Sequence, residues 1–312
     1  MKNLFFLLIG VYSFSNTYGS SNIECWYQLN KIDSLFTINE FEEGLNIYEE
    51  IGECKEILSN TRLYGMSQIF LLVGKKDEAK VELLDAVRKG LIWSETYQNR
   101  MLEFHLYCKR LGGKEFLEEI WELHLTETDI QMKDNEKFLL TMREIEKQDQ
   151  LQRDKIVVID ELIYDITTYD NYKDDPLYKS TFKDFRERNA VVLYKFISIV
   201  DSLGYVPSDK EIFGQCSMQV MINHSSAYPT SVNLDSIYRY SIDIGTISPK
   251  AYANFIGYKA QKQGTEDPYM YACFPDKFDT MSEDEKDKIN KARMKIGLAL
   301  IPNTMNRRFG IE

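Results

Sequence analysis

Basic side chains are in deficit. The 312 residues hold 38 lysines and arginines against 49 aspartates and glutamates, a net charge of −11. No basic stripe offsets that surplus, so a phosphate backbone repels the chain and nucleic acid is not an expected partner. Cysteine pairs spaced CxxC are missing as well: Cys25, Cys54, Cys108, Cys216 and Cys273 are scattered, which argues against a zinc ribbon or a thioredoxin-type site. No GxSxG, HExxH, P-loop or GxGxxG signature occurs. Acidic pairs such as Asp160-Glu161 and Asp174-Asp175 read as solvated surface, and no spaced set of three ligands accompanies them, so neither a metal nor a cofactor is expected. Past the first dozen residues no apolar run approaches the ~20 residues of a membrane span.

The N-terminus has the layout of a secretory signal: Lys2, then the apolar run Leu4 to Val11, then small and polar residues. Thr17 and Gly19 sit suitably at −3 and −1 of a cut near Gly19 or Ser20. The expectation is export to the periplasm or the extracellular space, with residues 1–19 removed; a retained signal anchor is the alternative. The residues before Cys25, Ser21-Asn22-Ile23-Glu24, lack the small-residue pattern of lipid attachment. An oxidising compartment permits a disulfide, and an odd count leaves at least one thiol free. The preferred reading is nevertheless of buried apolar cysteines.

An internal repeat organises the first half. Gly44, Tyr48 and Ile51 are matched by Ala79, Leu83 and Ala86, in each case a small residue and two larger ones on one helix face. Leu63, Met66, Phe70 and Leu71 form the preceding helix of the second copy, and their stripe reads as core. The turn, Gly-x-x-x-Glu-Ala at Gly74 to Ala79, resembles that of the tetratricopeptide repeat. That resemblance spans about Trp26 to Leu91, with a worn third copy at Leu111 to His124. It implies helical hairpins over 22–125, a surface that can engage a protein or peptide, or a packing domain for the neighbouring half. Gly90 fits a helix C-cap. His105 and His124, among apolar and aromatic residues, read as packed or capping side chains.

The polar stretch Thr126 to Lys137 is the expected domain boundary, followed by a helical domain over 135–300 and a tail over 301–312. Helices are expected at 138–170, 182–203 and 234–244. Another starts at Ser248-Pro249, where proline suits the first turn, and the last is opened by the Ser282/Glu285 capping box. Gln261 to Phe274 is the only candidate strand or hairpin. The fold class is therefore mainly α, with at most a small β-hairpin.

Within this half, Asp149, Gln150 and Arg153 fall at i, i+1 and i+4 of a helix, and His224 is the only histidine. Together with Asn189, Gly204-Tyr205-Val206-Pro207, Gly214, Asn290, Arg293 and Gly297-Leu298, their order resembles an uncharacterised family of exported bacterial proteins found often in Bacteroidetes. Asn223 stands where that family usually has glutamine before the histidine. Arg186 replaces an acid, Gly257-Tyr258 an Asp-Arg pair, and Tyr271-Ala272-Cys273-Phe274 a Tyr-Gly-Thr-Gln strand. The resemblance implies a polar site around His224, Asp149 and Arg153, with Gln150, Asn189 and Asn223 as binding residues, depleted in this copy. One expectation is an exported interaction or scaffold module. The alternative is a hydrolase-like or other enzyme. There His224 is the general acid or base, Asp149 orients it, and Arg153 or Gln150 holds an anionic or carbonyl group. Against both stands a plainer role, a buried polar network joining helices.

Overall fold

The computed structural model describes residues 22–94, 100–164, 176–226, 228–270 and 280–301, with backbone only at 134, 152–164, 177, 178, 181 and 182. The signal segment, Cys273, Asp174-Asp175, the replaced Tyr-Gly-Thr-Gln positions and the tail past Ile301 lie outside the described residues, as do the side chains of Asp160-Glu161. The chain is mainly α, and no strand occurs among the described residues. No described helix is long and apolar enough to cross a membrane.

Two hairpins open the chain: α1 (Asn22–Thr37) with α2 (Phe41–Glu50), and α3 (Asn60–Leu72) with α4 (Lys76–Arg88). The repeat positions explain their closeness. Tyr48, Ala79, Leu83 and Ala86 are fully buried, and a Cβ on Gly44 would stand 2.4 Å from the Phe36 ring. A side chain at 44 would have to push the half-buried Phe36 ring of α1 aside. Cys25 and Cys54 are joined in a disulfide that ties α1 to the 3₁₀ turn Gly52–Ile57. Preferring buried apolar cysteines for these two was therefore wrong; it holds for Cys108 and Cys216, which are free and buried.

A helical run, α5 (Met101–Tyr164), follows, broken by non-helical dihedrals at Gly113 and Asn135. The polar stretch 126–137 is thus helical, with Asn135 its one non-helical residue. The C-terminal half comprises α6 (Pro176–Leu203), the single turn α7 (Asp209–Ile212), α8 (Met218–Ser225), α9 (Leu234–Asp243), α10 (Pro249–Gln263) and α11 (Glu283–Met294). Ser282 and Glu285 form the expected reciprocal cap, and Ser248 caps α10 ahead of Pro249. Within the candidate strand segment, 261–263 complete α10, Gly264 caps it in the left-handed region, and 265–270 are irregular.

One apolar core runs through both halves, from Trp26 and Leu29 through Met142, Phe196 and Tyr252 to Leu298. The halves meet backbone to backbone. Gly90, at φ +83°, has no room for a Cβ, which would lie 2.3 Å from the Phe213 carbonyl; one on Gly214, at φ +67°, would lie 2.2 Å from the Gly90 carbonyl oxygen. Nearby side chains fasten the same seam: the Trp26 indole N–H donates to the Ile242 carbonyl (3.3 Å), and the Asn30 amide to that of Gly297 (2.7 Å). The C-terminal half is seated directly on α1, α3 and α4.

Candidate functional site

The buried stripe of α5 passes through Leu139, Met142 and Ile145. Asp149 is the next position on that stripe, four residues on, so helical geometry carries its carboxylate inside, where it has no exposed surface. On α8 the buried residues are Met218, Met221, Ile222 and Ser225, and His224 lies three residues after Met221 on the flank of that face. Helix α8 packs against α6 and α10, and α6 packs along α5. The result brings together two residues 75 positions apart. His224 Nδ1 is 3.1 Å from Asp149 Oδ2 and 3.2 Å from Oδ1, with the imidazole side chain 19% exposed. An ionised carboxylate can only accept, so Nδ1 carries the proton and Nε2 is the basic nitrogen. Nε2 has no hydrogen-bond partner among the described residues.

The other expected site residues divide. Gln150 is half-buried, its amide 3.5 Å from Asp149 Oδ2, at the limit of a hydrogen bond. Asn189, on α6, is 2% exposed and its Oδ1 has no partner among the described residues; the Asn223 Oδ1, beside the histidine, is buried in the same condition. Arg153 is helical in its backbone, and its side chain lies outside the described residues. Two neighbours escaped the sequence reading. Glu146, one turn before Asp149, accepts the Ser217 backbone N–H (2.9 Å) at the start of α8. The Cys216 thiol beside it is pushed well above its ordinary pKa by burial and by the charges of Glu146, Asp149 and Asp209, so it stays protonated. Spacing alone pointed to Glu146, an acid three residues ahead of Asp149 on the same face; nothing local pointed to Cys216.

An imidazole whose Nδ1–H is held by a buried carboxylate has the orientation of a general base. Such a base also needs room for a substrate. Neither His224 nor Asp149 is among the lining residues of three of the best-formed cavities among the described residues. Among the described residues no three His, Cys, Asp or Glu side chains are close enough to hold a metal ion.

The remaining histidines are packed. His124 is 6% exposed in an aromatic nest of Trp93, Trp121 and Phe213, and burial lowers its pKa. His105 is partly exposed, its ring near those of Phe104 and Trp121. The landmarks near the C-terminus act as anchors. Arg293, 8% exposed, donates to the carbonyls of Ala299 and Tyr269 (2.7 Å each), and Asn290 exchanges two hydrogen bonds with the Ile301 backbone. Gly297 lies against Trp26 and the Ile23 carbonyl. Arg186 and Tyr258 are exposed positions. Comparison with protein-family models, with curated proteins and with solved structures gives no match.

Proposed function

We propose that the protein is an exported interaction or scaffold module, in which the hairpin array carries the C-terminal half and presents it to a protein or peptide partner. One observation supports this above the rest: Asp149 has no exposed surface and meets His224 where α5 and α8 face each other. There the pair is a polar joint between packed helices. The Cys25–Cys54 disulfide suits an oxidising compartment, as export requires. On this reading the chain is a member of the exported bacterial family whose landmarks it keeps, with the family's polar site reduced to its structural part.

A second reading is favoured by a specific contact, the Nδ1–carboxylate hydrogen bond that leaves Nε2 without a partner. It makes His224 the general base of an enzyme, with Asp149 as the positioning residue and Arg153 as the anion holder.

The two readings part on His224→Ala and Asp149→Ala, followed by melting temperature and by turnover of an activated ester such as p-nitrophenyl acetate. For a joint, each substitution strands a buried polar partner at a cost of ~1–3 kcal/mol. That lowers the melting temperature by several degrees, at roughly 2–4 °C per kcal/mol for a chain of this class. Wild-type turnover then stays at the level of free imidazole. Unchanged or raised melting temperatures together with lost turnover would establish the enzyme instead.

A further inference from the structure

Between the two halves lies a cavity of about 320 Å³, walled by the first turn of α3, the 3₁₀ turn before it and the end of α4 on one side, and by α7, α8 and α10 on the other. Its charged lining is four basic side chains, Arg62, Lys89, Lys210 and Lys250, against two acidic ones, Glu56 and Asp209. In a chain with an excess of acid this is a local reversal of sign, larger by one charge than in the cavities lined by Lys195 and by Lys259. Burial in low dielectric magnifies its field.

The internal bonds leave that charge incompletely answered. Arg62 and Lys250 share one carboxylate, that of Asp33, at 2.8 Å each. Lys89 Nζ donates to the carbonyl oxygens of Glu56 (2.9 Å) and Leu58 (3.0 Å), which orient it without neutralising it. An ammonium has three N–H bonds, and the third finds no acceptor among the described residues. Burial lowers the Lys89 pKa, although the charges of Glu56, Asp85 and Asp209 act to raise it. Lys210 is exposed at the rim and has no partner among the described residues. Asp209, the one carboxylate deep in this group, is turned to the Asn60 backbone N–H and to Lys89.

Neutral donors converge on the same space. Ser217, the N-cap of α8, makes no side-chain cap, and Ser217, Met218 and Gln219 all line the cavity. The start of α8, its positive end, therefore borders the space, and the Ser217 N–H there is already taken by the Glu146 carboxylate (2.9 Å).

From the surplus of cations, the uncommitted donors and the size of the space, we infer that the cavity between the two halves is a binding site for a compact anion, a small molecule bearing a phosphate, sulfate or carboxylate head group. The volume is at the lower end of small-ligand pockets, ~300–1,000 Å³, and admits a head group with a short body, not a peptide. Lys89 and Lys210 supply charge, and the Ser217 hydroxyl supplies a directed hydrogen bond. Arg62 and Lys250 set the field behind them. The inference goes beyond the scaffold reading and stands apart from His224: either can fail alone.

The test is calorimetric titration of the full mature chain with sulfate and, separately, with succinate at low ionic strength, where surface screening is least. Saturable binding at one site per chain is expected for at least one probe. Sulfate preference identifies a tetrahedral head group, succinate preference a dicarboxylate. Lys210→Glu, a reversal at an exposed position, is expected to weaken binding about tenfold or more, ~1.4 kcal/mol. Lys114→Glu, on α5, outside the cavity lining and 87% exposed in its side chain, should leave affinity within about twofold. Ser217→Asp is the decisive variant. A carboxylate at that N-cap stands beside Glu146 and adds negative charge where the anion would sit, so binding is lost while thermal unfolding stays a single cooperative transition. Failure of both probes to saturate would overturn the inference. So would equal weakening by Lys114→Glu and Lys210→Glu, or undiminished binding in Ser217→Asp.

Discussion

His124 and His224 differ in what their ring nitrogens meet. His224 Nδ1 has a buried carboxylate 3.1 Å away, whereas His124 Nδ1 is buried with no partner among the described residues. Burial holds the His124 pKa below its ordinary value, so in the folded protein the ring stays neutral at pH values where the unfolded chain has taken up a proton. As pH falls through the usual histidine range, ~6.5, the unfolded state binds the extra proton and stability is lost. His124→Phe fits among Trp93, Trp121 and Phe213 and removes both the unmet nitrogen and the titration. It is expected to raise the melting temperature, with a margin over wild type that widens from pH 7.5 to pH 5.5; a constant margin would refute the assignment. At this scale the meeting of Asp149 and His224 was legible, because an acid on the buried stripe of a helix and a lone histidine are sequence facts, whereas the Arg153 side chain lies outside the described residues. Gln215 was not: its side-chain nitrogen is buried without a partner among the described residues, and no spacing announces that.

Helix ends were the most readable elements. Ser282 and Glu285, Pro249 behind Ser248, and Gly90 are all placed by local chemistry, since caps satisfy backbone groups within a few residues. The crossing of Gly90 and Gly214 was not readable, because each glycine looks like an ordinary cap and only the tertiary fold puts one backbone on the other. Phe213, beside it, sits at φ +48° and stacks on His124 (6.5 Å between ring centroids), so a bulky residue is held in the left-handed region by its packing. Two alanine substitutions separate conformation from contact. Gly264, at φ +66° with nothing within 4 Å, pays only the conformational cost of an alanine there, about 1 kcal/mol. Gly214 bears the same cost plus a Cβ driven into the Gly90 carbonyl. Urea unfolding should show Gly214→Ala destabilised by roughly 3 kcal/mol or more, several times the loss in Gly264→Ala. Equal losses would mean that the glycine crossing does not hold the halves together.

At the scale of the whole molecule, periodicity recovered the helical class, while the relation between halves was out of its reach. The stretch 126–137 is polar because it is a solvated helix face, and polarity alone does not distinguish that from a linker. What joins the halves is long-range: a common core, the glycine crossing, and the bonds from Trp26 and Asn30 to Ile242 and Gly297. The hairpins therefore pack directly against the C-terminal half, and the candidate joint and the basic cavity both lie where sequence neighbours say nothing.

That the imidazole and its buried acid act as a polar joint between α5 and α8 within the C-terminal half is tested most directly by a double-mutant cycle at Asp149 and His224, read by urea unfolding. One transition is predicted in all four proteins, with each single alanine destabilising and a coupling of about 1 kcal/mol or more between them. Losses that simply add, single substitutions that stabilise, or a second transition would contradict it.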